Sequence, residues 1–167
     1  MTLYYSDESS IEINKKTWRV LIPKSWWKYQ IKWFENLHNQ RHIFGFLRDD
    51  WRILYTIRKK KKSEDFIKSL CRLREREKSE YIVLIVDNAS IHKSIKVWKY
   101  CKEKNIIPVY LPPYCPDLNP IEKFWKKVKR KFMLIQWEIW KTIEEKIRKV
   151  IIQLWNQKSL VCKYSFL

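Results

Sequence analysis

The chain has 167 residues, 46% of them apolar, and sets 36 Lys and Arg against 18 Asp and Glu, a formal net charge of +18. That length and apolar content suit one domain with a real core and argue against disorder, while the charge points to a polyanionic partner, nucleic acid before an acidic membrane surface. The four cysteines form no C-x-x-C pair, which argues against zinc and reads as small buried hydrophobes in a reducing compartment. The longest apolar run, "YIVLIV", is far too short to span a bilayer.

"TLYYSDES" predicts a first strand that ends at an acid pair, with Leu3, Tyr5 and Asp7 on one face because strand side chains alternate. "TWRVLI" predicts a second strand, and the aromatic-rich stretch 23–40 an irregular excursion. "RHIFGFLR" and "WRILYTIR" read as paired strands, with Asp49 and Asp50 supplying the turn. A helix follows, with Ser63 as N-cap, Glu64 and Asp65 in the first turn, and Phe66, Leu70 and Leu73 inward.

"YIVLIVDN" has the continuous apolar character of a strand buried on both faces, and it ends at Asp87. "SIKVWKYCKEKN" predicts a helix burying Ile95, Trp98 and Cys101. "IIPVYLP" predicts a strand that Pro108 confines to a sheet edge. Asn119 and Pro120 open a lysine-rich helix striped by Ile121, Phe124, Trp125, Val128 and Phe132. A last helix runs from about Trp137 to Trp155, with Trp140, Ile143, Ile147, Val150, Ile151 and Leu154 inward. This order predicts one α/β domain over residues 1–167, a mixed central sheet flanked by helices with its first strands antiparallel.

Three acids stand out by position: Asp7, Asp87 and Glu122. Ligands in open α/β sheets gather where strands end, so carboxylates distant in sequence can converge there. Magnesium takes a few carboxylates plus water and phosphate oxygens, and two such ions about 4 Å apart can drive phosphodiester chemistry. A positive surface around them would hold the nucleic acid. Each acid also has a plainer reading. Glu122 follows Asn119 at capping-box spacing, Asp87-Asn88 can be a turn, and Asp7 and Glu8 can be ordinary strand-end acids. His92 can be structural or can pair with an acid or a phosphate. Lys59 to Lys62 can be a solvated loop or a DNA contact, and the ten tryptophans read as packing rather than base-stacking platforms.

"VDNASIHKS" and "VYLPPYCPDLNPIEKFW" together resemble the DDE catalytic domain of the Tc/mariner transposase superfamily, in its bacterial and archaeal insertion-sequence branch. The likeness places Asp87 at the family's second acid and Glu122 at its third, with 34 residues between them. "YYSDESS" is similar to the strand carrying the first acid, Asp7, and "TWRVLIPK" and "RHIFGFL" are similar to further family segments. Cys115 stands where the family usually has Ser, and Ser25 where it has Gly.

The resemblance implies an RNase H-like fold and catalytic, metal-binding Asp7, Asp87 and Glu122, supported by Asn88, His92 and Asn119. It implies two Mg²⁺ or Mn²⁺ ions, and DNA contacts from Lys126, Lys127, Lys129, Arg130 and Lys131. The expected function is metal-dependent cleavage and joining of DNA at transposon ends. The expected partners are transposon-end and target DNA, a second copy in a homodimer, and a separately encoded helix-turn-helix subunit, since the family's N-terminal DNA-binding domains do not precede Asp7 here. No membrane partner is expected, and the location is the nucleoid-associated cytoplasm of a prokaryote. The alternatives are an inactive relic acting as a basic DNA-binding module, or an RNase H-like nuclease or resolvase.

Overall fold

A computed structural model describes residues 1–12, 40–113, 116–134 and 142–156. The strands are β1 (Thr2–Glu12), β2 (Gln40–Arg48), β3 (Ile53–Arg58), β4 (Ile82–Val86) and β5 (Ile106–Tyr110). The helices are α1 (Ser63–Arg76), α2 (Ile95–Glu103), α3 (Ile121–Leu134) and α4 (Ile143–Asn156), with a short 3-10 turn at Pro116–Leu118 before α3. The element order is the one the sequence predicts. The expected strand at 17–22, nearly all of the stretch 23–40, residues 137–141, Cys115 and Cys162 lie outside the described residues.

The five strands form one mixed sheet in the order β3-β2-β1-β4-β5. The first three are antiparallel, and β4 and β5 run parallel to β1. One face is covered by α1 and α2, whose Phe66, Leu70, Leu73, Val97 and Cys101 pack on Tyr4, Phe44, Phe46 and Leu84. The other face is covered by α3 and α4, whose Ile121, Trp125, Val128, Ile147 and Val150 pack on Ile11, Ile43 and Leu47. The stripes expected for α3 and α4 are therefore the buried ones, apart from Leu154, which is half-buried, and Trp140, which is not described. Pro108 lies on the edge strand β5, where a missing N–H costs least.

Several local expectations are corrected. Strand β1 does not end at its acid pair but runs on to Glu12, because β2 stays paired with it from Tyr4–Arg48 to Glu12–Gln40. The cap of α1 is Lys62, which has extended backbone and no side-chain capping bond, so Ser63 is already helical. Glu64 and Asp65 occupy the first turn as expected, where they favour the helix dipole. Helix α2 buries Val97 and Cys101, one turn apart, and exposes Ile95 (74%) and Trp98 (55%), because the helix rolls that face onto β5 and α1. Strand β4 buries Ile82, Leu84 and Val86 but leaves Val83 and Ile85 half-buried. Cys101 is buried as expected, whereas Cys71 is exposed.

The β2–β3 hairpin uses both aspartates of the turn. Asp49 Oδ1 accepts from the Asp50 amide at 2.9 Å, and Asp50 Oδ1 accepts from the Arg52 amide at 3.1 Å. Trp51 takes the left-handed conformation there, at φ 68°.

Candidate active site

Strand register brings the first two acids together. β1 and β4 pair in parallel through Thr2–Ile82 to Tyr5–Ile85. Two residues further along each chain stand Asp7 and Asp87, level with one another just past the last paired residues. β4 ends there while β1 continues, so the acids flank the crevice where the parallel pairing stops. Alternation turns Asp7 toward α3, on the side of Tyr5 and Ile11, and turns Glu8 toward α1.

Helix α3 is fastened to the same point. Asn119 Nδ2 donates to the Ser6 carbonyl at 3.0 Å, one residue before Asp7, while Asn119 Oδ1 accepts from the Ile121 amide at 3.4 Å. Asn119 is only 4% exposed, so it is a buried clamp between β1 and the start of α3. Glu122 follows within the first turn. Its carboxylate has no hydrogen-bond partner among the described residues and does not close a capping box; only its amide bonds the Asn119 carbonyl, at 3.1 Å. The cap belongs to Asn119, and the Glu122 carboxylate is left without a partner among the described residues.

The electrostatics register this convergence. Burial pushes the Asp7 carboxyl up to about 7, helped by the Glu8 carboxylate and, further out, by those of Asp87 and Glu122. Asp87 is held below the usual carboxylate range, by His92 first and then by the Ala89 amide. Both act on one oxygen: Asp87 Oδ1 accepts from the Ala89 amide at 3.0 Å and lies 3.1 Å from His92 Nε2. The other oxygen, Oδ2, is spoken for by neither of them.

His92 is 2% exposed and sits between two carboxylates, with Nε2 also 3.3 Å from Glu8 Oε1. One N–H cannot aim at both acids, and neither contact has hydrogen-bond alignment, so both are close ionic contacts. Burial works against the imidazolium, but Asp87 and Glu8 outweigh it and push its pKa up to about 9. Glu8 itself is 1% exposed and lies 3.4 Å from Lys61 Nζ. The Phe66 ring stands edge-on to His92 at 4.4 Å.

The remaining expected residues fall around this centre. Asn88 Nδ2 donates to the Leu111 carbonyl, tying the end of β4 to the loop that leads toward Glu122. Lys126, Lys129 and Arg130 are exposed, Lys127 and Lys131 half-buried, and none pairs with an acid among the described residues. Two participants carry no emphasis in the sequence reading: Glu8 and Lys61. The signal for Glu8 is alternation, which sends the second acid of "SDES" to the face covered by α1, where a buried carboxylate needs a partner such as Lys61.

Among the described residues no three acidic, His or Cys side chains form a ready-made ion cage. The donor chemistry still fits a hard divalent cation. All three candidate ligands are carboxylates, Glu122 has no competing bond among the described residues, and Asp7 is held near 7 by burial and by negative charge that a cation would relieve.

A five-stranded mixed sheet flanked by helices is the RNase H-like architecture of integrase catalytic cores. The catalytic core domain of BIV integrase superposes with a TM-score of 0.60 at 14% identity, covering 91% of this chain and 82% of that one. The HTLV-2 integrase catalytic core domain in complex with magnesium gives 0.58 at 13% identity, over 89% and 81%. A chain of the simian T-cell lymphotropic virus intasome in complex with PP2A regulatory subunit B56 gamma gives 0.64 at 11% identity, and there this chain spans 89% of its own length but 46% of the other. No curated protein matches. The DDE superfamily endonuclease family model matches residues 2–145, and the chain belongs to that family. Among the described residues no helix is long and apolar enough to cross a membrane.

Proposed function

We propose that this is the catalytic domain of a DDE transposase of the Tc/mariner superfamily, from a prokaryotic insertion sequence, that cuts and joins DNA at transposon ends. Asp7, Asp87 and Glu122 would hold two Mg²⁺ or Mn²⁺ ions. When bound, such ions activate the attacking oxygen and stabilise the departing one. Water would attack the phosphodiester at the transposon end and release a 3′ hydroxyl, which then attacks a target phosphodiester and displaces its 3′ oxygen. No covalent enzyme intermediate is needed.

The chain's own residues do the positioning. The Ala89 amide and His92 occupy Asp87 Oδ1, leaving Oδ2 as the ligand oxygen. Asn119 fixes the first turn of α3 against β1, so Glu122 is held near Asp7. The exposed Lys126, Lys129 and Arg130, with Lys127 and Lys131, would follow the phosphate backbone. A homodimer, a separately encoded helix-turn-helix subunit and a place in the nucleoid complete the reading.

The observation that carries it is the free carboxylate of Glu122 beside an Asp7 that feels its charge. Glu122→Gln tests it on transposon-end DNA with a helix-turn-helix domain supplied in trans. Stability should move by at most ~1 kcal/mol, the scale of a cap change, while metal-dependent cleavage collapses. Asp87→Asn should do the same. Wild-type cleavage by Glu122→Gln would remove the third acid from the mechanism.

A further inference from the structure

Strand β3 is an outer strand, and its far edge has no partner strand among the described residues. Along it runs a cleft of about 350 Å³ whose lining includes Tyr55, Ser69, Arg58, Arg72, Arg76 and Arg148. The arginines reach it from three elements: β3 itself, α1 on one face of the sheet and α4 on the other. Among the described residues no acid lines the cleft.

These four guanidinium groups gather at one cleft with no acid partner among the described residues. None makes an ion pair or hydrogen bond with a described residue, whereas Arg41, Arg48 and Arg52 are all paired with acids. Arg58 Nε is buried without a partner. Arg72 and Arg76 stand one helical turn apart, where like charges repel. A buried unpaired donor and a repelling pair facing one cleft are unfavourable alone and are relieved by a bound anion.

Register locates the cleft relative to the acids. Asp7 pairs with Gly45, and Gly45 with Tyr55, so the cleft lies two strand spacings, about 10 Å, across the sheet from Asp7. We propose that the β3-edge cleft binds the phosphate backbone of a second DNA segment, apart from the track along α3. The inference rests on the proposed transposase reading, because joining involves two DNA segments and the basic face of α3 accounts for one. A phosphate backbone fits better than another copy of this chain, whose net charge of +18 would be repelled. Guanidinium forks also match phosphate oxygens two at a time.

Arginine labelling with phenylglyoxal, mapped by mass spectrometry on the full chain with and without a short DNA duplex, reads the site directly. DNA should slow labelling of Arg58, Arg72, Arg76 and Arg148 several-fold, and a polyglutamate of equal charge should not. Arg72→Gln/Arg76→Gln should weaken duplex binding roughly thirtyfold near 0.15 M salt and reduce the salt slope by about 1.8. Lys99→Gln/Lys104→Gln, an equal charge loss at the opposite edge of the sheet, should change either far less. Unchanged labelling with DNA, protection already present in the free chain, equal protection by polyglutamate, or identical losses in both double variants would each overturn the proposal. None of these readouts requires cleavage, so inactivity on transposon ends would remove the enzymatic reading while the arginine result stood by itself.

Discussion

Gly45 is the only glycine in the chain, and its replacement tests how the candidate site is held. It lies mid-strand in β2 between Asp7 on β1 and Tyr55 on β3, and its φ is not in the left-handed region, so backbone freedom does not require it. Space does. A Cβ there would stand 2.4 Å from Trp125 Cζ2, 2.8 Å from Cη2 and 3.0 Å from Ile121 Cδ1. Both partners are core residues of α3, Ile121 fully buried and Trp125 4% exposed, and they bracket Glu122 in sequence. Two effects oppose each other in Gly45→Ala. Losing glycine's excess entropy in a strand favours folding by roughly 0.5–1 kcal/mol. Overpacking a close-packed core costs about 1–3 kcal/mol. The clash is with a rigid indole rather than a flexible chain end, so overpacking wins, and a net loss of about 1–2 kcal/mol is expected. Urea unfolding should show a lower midpoint at unchanged slope. Whatever the indole does to make room, α3 must shift with it, so metal-dependent cleavage should fall by more than the loss of folded protein explains. Trp125→Phe removes the clashing atoms, so the double variant should lose less than the sum of the two single losses. Wild-type stability and additive behaviour would refute the idea that Gly45 exists to seat α3 on the sheet.

The other predictions concern charge. His92, raised from 6.5 to about 9, contributes stability that is complete below about pH 6.5 and lost as pH rises through 9; His92→Asn should abolish that slope in metal-free urea melts. Asp7, raised from 3.8 to about 7, adds a penalty that is absent below about pH 4 and complete above 7, so stability should fall across that window too and Asp7→Asn should flatten it. Mg²⁺ or Mn²⁺ should therefore raise the melting temperature more at pH 8 than at pH 5, and a rise of equal size in Asp87→Asn would deny that acid a metal. With about six phosphate contacts, DNA affinity should fall roughly a thousandfold between 50 and 200 mM salt, and a flat response would contradict backbone-dominated binding.

Much of this architecture was legible because it rests on local rules. Period-2 and period-3.6 patterns mark β1, α3 and α4, and Pro108 marks the edge strand. The failures have physical causes. In α2, Ile95 and Trp98 form as good a stripe as Val97 and Cys101, and only the docking on β5 and α1 chooses between them. Where β1 ends could not be read from "SDES", because pairing with the distant β2, out to Gln40 opposite Glu12, carries it to Glu12. Glu8 reads in the sequence only as an ordinary strand-end acid for a related reason. Nothing local distinguishes it from Asp7, but the pleat sends one toward α3 and the other under α1, where it meets His92 and Lys61.

Asn119 resolves why a lone acid should open so basic a helix. A residue at this position can cap the helix or tie it to a neighbour, and in the usual capping box the third residue on reaches back to help. Here Asn119 does both tasks with its two amide atoms, Oδ1 toward the Ile121 amide and Nδ2 toward Ser6 on β1. That leaves Glu122 with no structural duty among the described residues, in a turn where the helix dipole favours negative charge. The positive stripe of α3 begins one residue later at Lys123, so acid and cations are separated along the helix rather than neutralised pairwise. An acid that only capped would be bonded to the backbone. Glu122 has no such bond among the described residues and lies close enough for Asp7 to feel its charge, which leaves its carboxylate open to the metal that the proposed reading assigns to it.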